Sequence, residues 1–153
     1  MNRRLLLQMV SGVPLAWMAL RGNSATGELV IVHKSEGCIC CEAWVKHLQG
    51  AGFTVRVIEE SNLGPIKEQV GVPVGKGSCH TAEVQGYFLE GHVPASDLQR
   101  LLRERPKAKG LVVPGMPPGS PGMEVPSGRF AAYEVLLVAL DGTTTVFAKH
   151  GGN

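Results

Sequence analysis

Three of the chain's four cysteines fall within four positions, Cys38-Ile39-Cys40-Cys41, and the fourth precedes a histidine, Cys79-His80. An apolar run, Leu29-Val30-Ile31-Val32, leads into the first group, and Trp44, Val45 and Leu48 follow it at helical spacing. The pattern predicts strand, turn and helix, with the thiols in the turn and the first helical turn. Free backbone N–H groups and the positive end of the helix dipole there favour thiolate over thiol. Thiolate attacks disulfides and also binds soft metal ions, so two chemistries are open. Cys38 and Cys41 form a C-x-x-C pair that can close a small disulfide, with Cys38 as nucleophile and Cys41 as resolving thiol. Cys40 fits that scheme poorly, because a third thiol beside the second invites wrong pairings. Adjacent cysteines also chelate a single ion poorly, since their side chains diverge. They suit bridging thiolates, each shared between two ions.

Cys79-His80 falls at the start of a predicted strand facing the C-x-x-C turn, so a fourth thiol and an imidazole converge on the other three if the topology holds. Met116 and Met123 lie in a Pro/Gly-rich loop and are candidate ligands. Thiolate, thioether and imidazole together form a soft set that favours Cu(I) over hard cations. Four thiols with a histidine also suit zinc. The alternatives are structural: a Cys40–Cys79 disulfide that leaves Cys38 and Cys41 as the redox pair, and methionines that only pack a loop. His92 and His33 are further candidate ligands. His47 reads as solvated, His150 as part of a terminal tail, and Trp44 as a core anchor for the first helix.

Positioning these groups requires a particular order of elements. Residues 28–33 and 53–58 read as strands, with helices at 39–50 and 63–70, which gives β-α-β-α and a parallel pairing. Residues 78–85 and 87–92, separated by Gly86, read as a hairpin. A helix at 98–105 follows Pro94-Ala95-Ser96-Asp97 and stops at Pro106. The fold class is therefore α/β, a thioredoxin-like mixed sheet in the order β-α-β-α-β-β-α. In such a sheet, groups after the first strand lie at the carboxyl edge, where ligands bind. Residues 114–128 carry five of the ten prolines and four glycines, a constrained loop with no room for regular structure. Residues 132–149, centred on Asp141-Gly142, read as a C-terminal β-hairpin.

With 153 residues the chain holds one core. Residues 1–27 have a basic start (Arg3, Arg4), an apolar stretch from Leu5 to Leu20 and small residues after it. This is a signal-peptide pattern, and its paired arginines also resemble a loose twin-arginine signal. The stretch is short for a membrane span. The expected organisation is a leader (1–27) and a single metal-binding domain (28–153) exported to the periplasm. Without the leader, 12 basic residues face 13 acidic ones, which leaves no basic footprint for nucleic acid. Two structural disulfides are common in an oxidising compartment, but three cysteines in four residues staple very little chain.

Four stretches carry a resemblance: C-x-C-C-x-x-W-x-x-H-L at 38–48 with Gly52-Phe53, G-V-P at 71–73, S-C-H-T-A-x-V-x-G-Y-x-x-E-G-H-V-P-A at 78–95, and G-L-x-V-P-G-M-P-x-G-S-P-G-M at 110–123. Together they resemble the CopG-type copper-resistance proteins. The resemblance implies a periplasmic thioredoxin-like domain that binds several Cu(I) ions through bridging thiolates. By position, Cys38, Cys40, Cys41 and Cys79 are its cluster thiols, and His80, Met116 and Met123 match the pattern beside them. The leading expectation is a copper-binding protein of resistance or homeostasis that exchanges metal with other periplasmic copper-handling proteins or an efflux system. The alternative is a thiol–disulfide oxidoreductase using Cys38 and Cys41, with a link to copper redox chemistry open to it.

Overall fold

The computed structural model describes residues 27–128, 130 and 132–152, so the expected leader lies outside the described residues except for Gly27. The elements run β1 (Leu29–Ser35), α1 (Ile39–Gly50), β2 (Thr54–Glu60), α2 (Gly64–Val70), β3 (His80–Val84), β4 (Tyr87–Glu90), α3 (Ala95–Glu104), β5 (Ala108–Val112), β6 (Tyr133–Ala139) and β7 (Thr144–His150). They build one mixed seven-stranded sheet in the order β2-β1-β3-β4-β5-β6-β7. β1 runs parallel to β2 and antiparallel to β3, and β3 runs antiparallel to β4. No helix among the described residues is long and apolar enough to cross a membrane.

Alternation along the strands divides the core between the two faces of the sheet. On one face lie Val30, Val32, Ala82, Val84, Leu89 and Leu111, covered by Trp44, Val45 and Leu48 of α1 and by Leu98, Leu101 and Leu102 of α3. Each helix presents its apolar residues at intervals of three and four, which places them on one stripe. Burying a large side chain such as Leu48 or Leu98 contributes about 1.5–3 kcal/mol, and both are fully buried. On the other face Phe88, Val112 and Val138 meet Val70 of α2 and Val72.

The expected β-α-β-α-β-β-α order is present but incomplete, because β5 follows α3. β5 runs parallel to β4, with Phe88 opposite Gly110, and carries the C-terminal hairpin on its other edge. Lys107, Lys109 and Gly110 obscure its strand pattern in the sequence. Gly110 is needed there, because a Cβ at this position would run into the Phe88 carbonyl. The C-terminal hairpin forms as expected, with a bulge between Val135 and Leu136. At the β3–β4 turn, Gln85 and Gly86 both have positive φ, 47° and 84°, the requirement of a type I′ turn.

Register brings the site together. Lys34, near the end of β1, pairs with His80, the first residue of β3. The segment entering β3 therefore lies beside the turn that leaves β1 for α1.

Candidate metal centre

Cys38 sits at the N-cap of α1, its N–H bonded to the Ser35 carbonyl (3.3 Å), and its own carbonyl accepts from the Glu42 N–H (3.2 Å). Cys40 and Cys41 occupy the first helical turn. Cys41 points into the core and is fully buried, whereas its neighbour Ile39 is 81% exposed. Cys38 and Cys41 are joined in a disulfide with their Cα atoms 5.3 Å apart. Cys40 and Cys79 are free thiols. The Cys40 Sγ lies 3.5 Å from Cys38 Sγ, 3.7 Å from Cys79 Sγ and 3.8 Å from Met116 Sδ. All four cysteine sulfurs lie within 4.8 Å of one another.

Cys79 is held from behind by a buried acid that the sequence reading did not single out. Glu90 is fully buried. Its Oε1 accepts from Lys67 Nζ (2.6 Å), the Ser78 N–H (2.5 Å) and Ser78 Oγ (2.8 Å), and its Oε2 from Thr81 Oγ1 (2.7 Å). Four donors compensate the desolvation of this carboxylate, and two of them belong to the residue before Cys79. A glutamate ending a short apolar run was the available signal, but alternation alone does not reveal that both faces of β4 are covered.

Two imidazoles adjoin the same thiol. His80 Nδ1 and His92 Nε2 each lie 3.6 Å from Cys79 Sγ, and both rings are fully buried. Burial is the main reason that the Cys79 thiol is pushed up to about 12, with the Cys40 sulfur adding to it. Burial likewise lowers His80 to about 3, helped by the neighbouring His92, and lowers His92 as well. The Trp44 ring packs 4.3 Å from the His80 ring, and its N–H donates to the Val93 carbonyl (2.8 Å). Trp44 thus anchors α1 and also forms a wall of the site.

The Pro/Gly-rich loop lies across α1. Gly122 has φ +87°, and a Cβ there would come within 2.8 Å of the Cys40 carbonyl oxygen and 2.9 Å of the Trp44 backbone nitrogen. Only glycine allows this approach without displacement. The loop brings Met116 to Cys40. Met123 is tied by its backbone to Gly119 and Ser120, and among the described residues no hydrogen bond joins its side chain to the thiols.

The other histidines take structural places. His33 pairs with Glu60 (3.0 Å) and Glu83 (3.7 Å) on either side of its ring, away from the sulfurs. His47 is not solvated as expected: its Nε2 accepts the Ala95 N–H (3.0 Å) at the start of α3, and burial lowers its pKa. His150 belongs to β7 rather than to a tail, and it pairs with Asp97 at 2.6 Å.

A family described as "Protein of unknown function, DUF411" matches residues 76–123, the span containing Cys79, His80, His92 and the first part of the loop, with Met116 and Met123. No curated protein matches the chain significantly. Two solved structures, described as copper resistance protein CopG, form 1 and form 2, match over 82% and 81% of this chain and 99% and 98% of theirs. Both are 44% identical to it, with a TM-score of 0.77. The chain belongs to the CopG-type copper-resistance family. In this CopG-type chain the clustered cysteines can hold metal. Two of them must first be released from their disulfide, because a disulfide sulfur carries no thiolate charge to donate.

Proposed function

We propose that the protein is a periplasmic copper-binding protein of copper resistance that holds several Cu(I) ions on thiolates shared between them. The convergence of four cysteine sulfurs within 4.8 Å supports this reading most strongly. Reduction of Cys38–Cys41 takes two electrons and two protons and gives a four-thiol site. Its thiolates supply the negative charge that Cu(I) needs and the soft donors it prefers. Cys38, Cys40, Cys41 and Cys79 are the bridging thiols, with His80, Met116 and Met123 as the neutral donors around them. Met116, 3.8 Å from Cys40, is the better placed of the two methionines. The order β2-β1-β3-β4 with β3 antiparallel supports a thioredoxin-like core. Residues 1–27 act as the export signal, and metal passes to or from other periplasmic copper-handling proteins or an efflux system.

The Cys38–Cys41 disulfide favours a second reading, a thiol–disulfide oxidoreductase. One experiment separates the two. The reduced mature domain is titrated with Cu(I) under anaerobic conditions against a competing chelator, and bound copper is counted by native mass spectrometry. Cooperative uptake of several ions, abolished by Cys40→Ser, is the result expected for a bridged cluster. Uptake of one ion or none overturns the cluster. Retention of disulfide exchange by Cys40→Ser would then favour the oxidoreductase.

A further inference from the structure

We propose that β7 is a docking edge for a second copy of this chain, the two β7 strands pairing antiparallel about a two-fold axis at Thr145. The edge lies outside the metal centre and takes no part in the copper reading above.

β7 ends the sheet, and among the described residues no strand lies beyond it. Its free backbone groups can be located from its pairing with β6. The Ala139 N–H donates to the Thr143 carbonyl (2.9 Å), and Leu137 stands opposite Thr145. Antiparallel ladders alternate residue by residue between bonded and non-bonded pairs. The backbone groups of Thr143 and Thr145 therefore face β6, and the N–H and C=O groups of Thr144 and Val146 point away from it. These groups are what an added strand needs. The next carbonyl along, that of Phe147, already accepts from Arg100 Nη1 (2.9 Å), which limits the free edge to the start of the strand.

The opposite edge of the sheet is guarded. β2 carries Arg56, Glu59 and Glu60 within one short strand, and charges on an edge oppose strand addition. β7 carries one lysine, Lys149, which is already paired with Glu134 (3.1 Å). β7 is also held in place before any encounter. The Arg100 guanidinium lies 4.2 Å over the Phe147 ring, and His150 pairs with Asp97 of α3. A strand fixed in advance loses little freedom on docking.

The edge is complementary to itself. When two copies meet with Thr145 on the axis, Thr144 of each stands opposite Val146 of the other, and each free N–H finds a carbonyl of the other copy. Thr144, Thr145 and Val146 are β-branched, the type that packs well in cross-strand pairs. Val146 is 48% exposed, so its side chain gains cover from the opposing Thr144. Further out, Lys149 of one copy comes alongside the turn that carries Asp141 in the other, which brings opposite charges together. Closed two-fold pairs are the commonest form of homo-oligomer. β7 lies four strands beyond β3 in the sheet, so pairing leaves both metal centres open.

The test is sedimentation velocity on the mature protein, metal-free and with its thiols reduced, over about a hundredfold range of concentration. A monomer–dimer equilibrium is expected. Thr145→Lys places two like charges face to face on the axis and should weaken the dimer at least about tenfold, as should Thr145→Glu. Thr145 is exposed, so both variants should keep the wild-type circular dichroism spectrum and Cu(I) uptake. Mixing the two variants should restore the dimer, because the facing charges are then opposite. A wild-type protein that stays monomeric across the range overturns the proposal and leaves the edge to an extended segment of another protein. A dimer that survives both substitutions also overturns it, as does a mixture of the two variants that fails to associate. Loss of Cu(I) uptake with the dimer intact would count against the copper reading alone.

Discussion

On the α1 side of the centre, sulfur dominates and solvent is near: Ile39 is 81% exposed between the cysteines, and Met116 is 48% exposed. On the β3 side, His80 and His92 are fully buried, each ring is fixed by a backbone carbonyl, and Glu90 holds Ser78 from below. The first side changes its donor set with redox state, because two of its sulfurs are joined in a bond that reduction opens. The second side contains no bond that redox chemistry would break while Cys79 is free. A soft-metal site assembled from both halves therefore has a variable part and a constant part. Local sequence places the three cysteines of the variable part within one helical turn, whereas Met116 comes to them from the loop and the constant part depends on the register of the sheet.

The contrast can be tested by loosening each half in turn. The largest effect falls on the constant half. Glu90→Ala leaves Lys67 and the Ser78 N–H without their buried partner, and loss of one member of a buried pair costs about 3–5 kcal/mol. Lys67 is one-fifth exposed, so the lower end is expected, about 3 kcal/mol, read from urea denaturation followed by circular dichroism. A cost below about 1 kcal/mol would show that the β3 side does not depend on this clamp. Next is Gly122→Ala, which forces a Cβ against the Cys40 carbonyl and into a positive-φ residue. Overpacking costs about 1–3 kcal/mol, and the loop's displacement should weaken Cu(I) binding as well. Wild-type stability and affinity in this variant would mean that the loop does not press on α1.

A pH titration probes the boundary between the halves. With Cys79 pushed up to about 12, the metal-free thiol is protonated throughout the neutral range. Any ion binding through it must release that proton. Affinity for Cu(I) should therefore rise with pH, by about tenfold per unit for this one thiol, and fall correspondingly on acidification. Competition titrations at pH 6, 7 and 8 measure the slope, and a flat profile would exclude Cys79 as a ligand. The smallest effect is expected from Met116→Leu. Stability should change by no more than about 0.5 kcal/mol, because the residue is half exposed. The reduced protein should lose Cu(I) affinity by a few-fold, and an unchanged affinity would remove Met116 from the variable half.

Much of the centre was legible without coordinates. The C-x-C-C spacing at a strand-to-helix junction placed three thiols together, and the Pro/Gly composition of 114–128 marked an irregular loop carrying methionines. Cys79 could be brought to them only through a fold assumption, which the Lys34–His80 register supports. The reading fell short where several elements act on one residue. His47 sits on a helix face that reads as solvent-exposed, yet the start of α3 lies against it. His92 was one candidate among several histidines, and its contact with the Pro121 carbonyl, 29 positions away, was not legible from the sequence.

By itself, the sequence determined the local arrangements: thiols in one helical turn and the hairpin turns. These depend on interactions across a few residues, where helix pitch and turn geometry leave little choice. Tertiary structure decided which groups meet across long separations. Cys40 meets Cys79 from 39 positions away, Lys67 meets Glu90 across 23, and β5 enters the sheet despite a weak strand pattern. Strand order and register set those meetings, and they follow from the burial of whole faces of the sheet rather than from the spacing of any one motif.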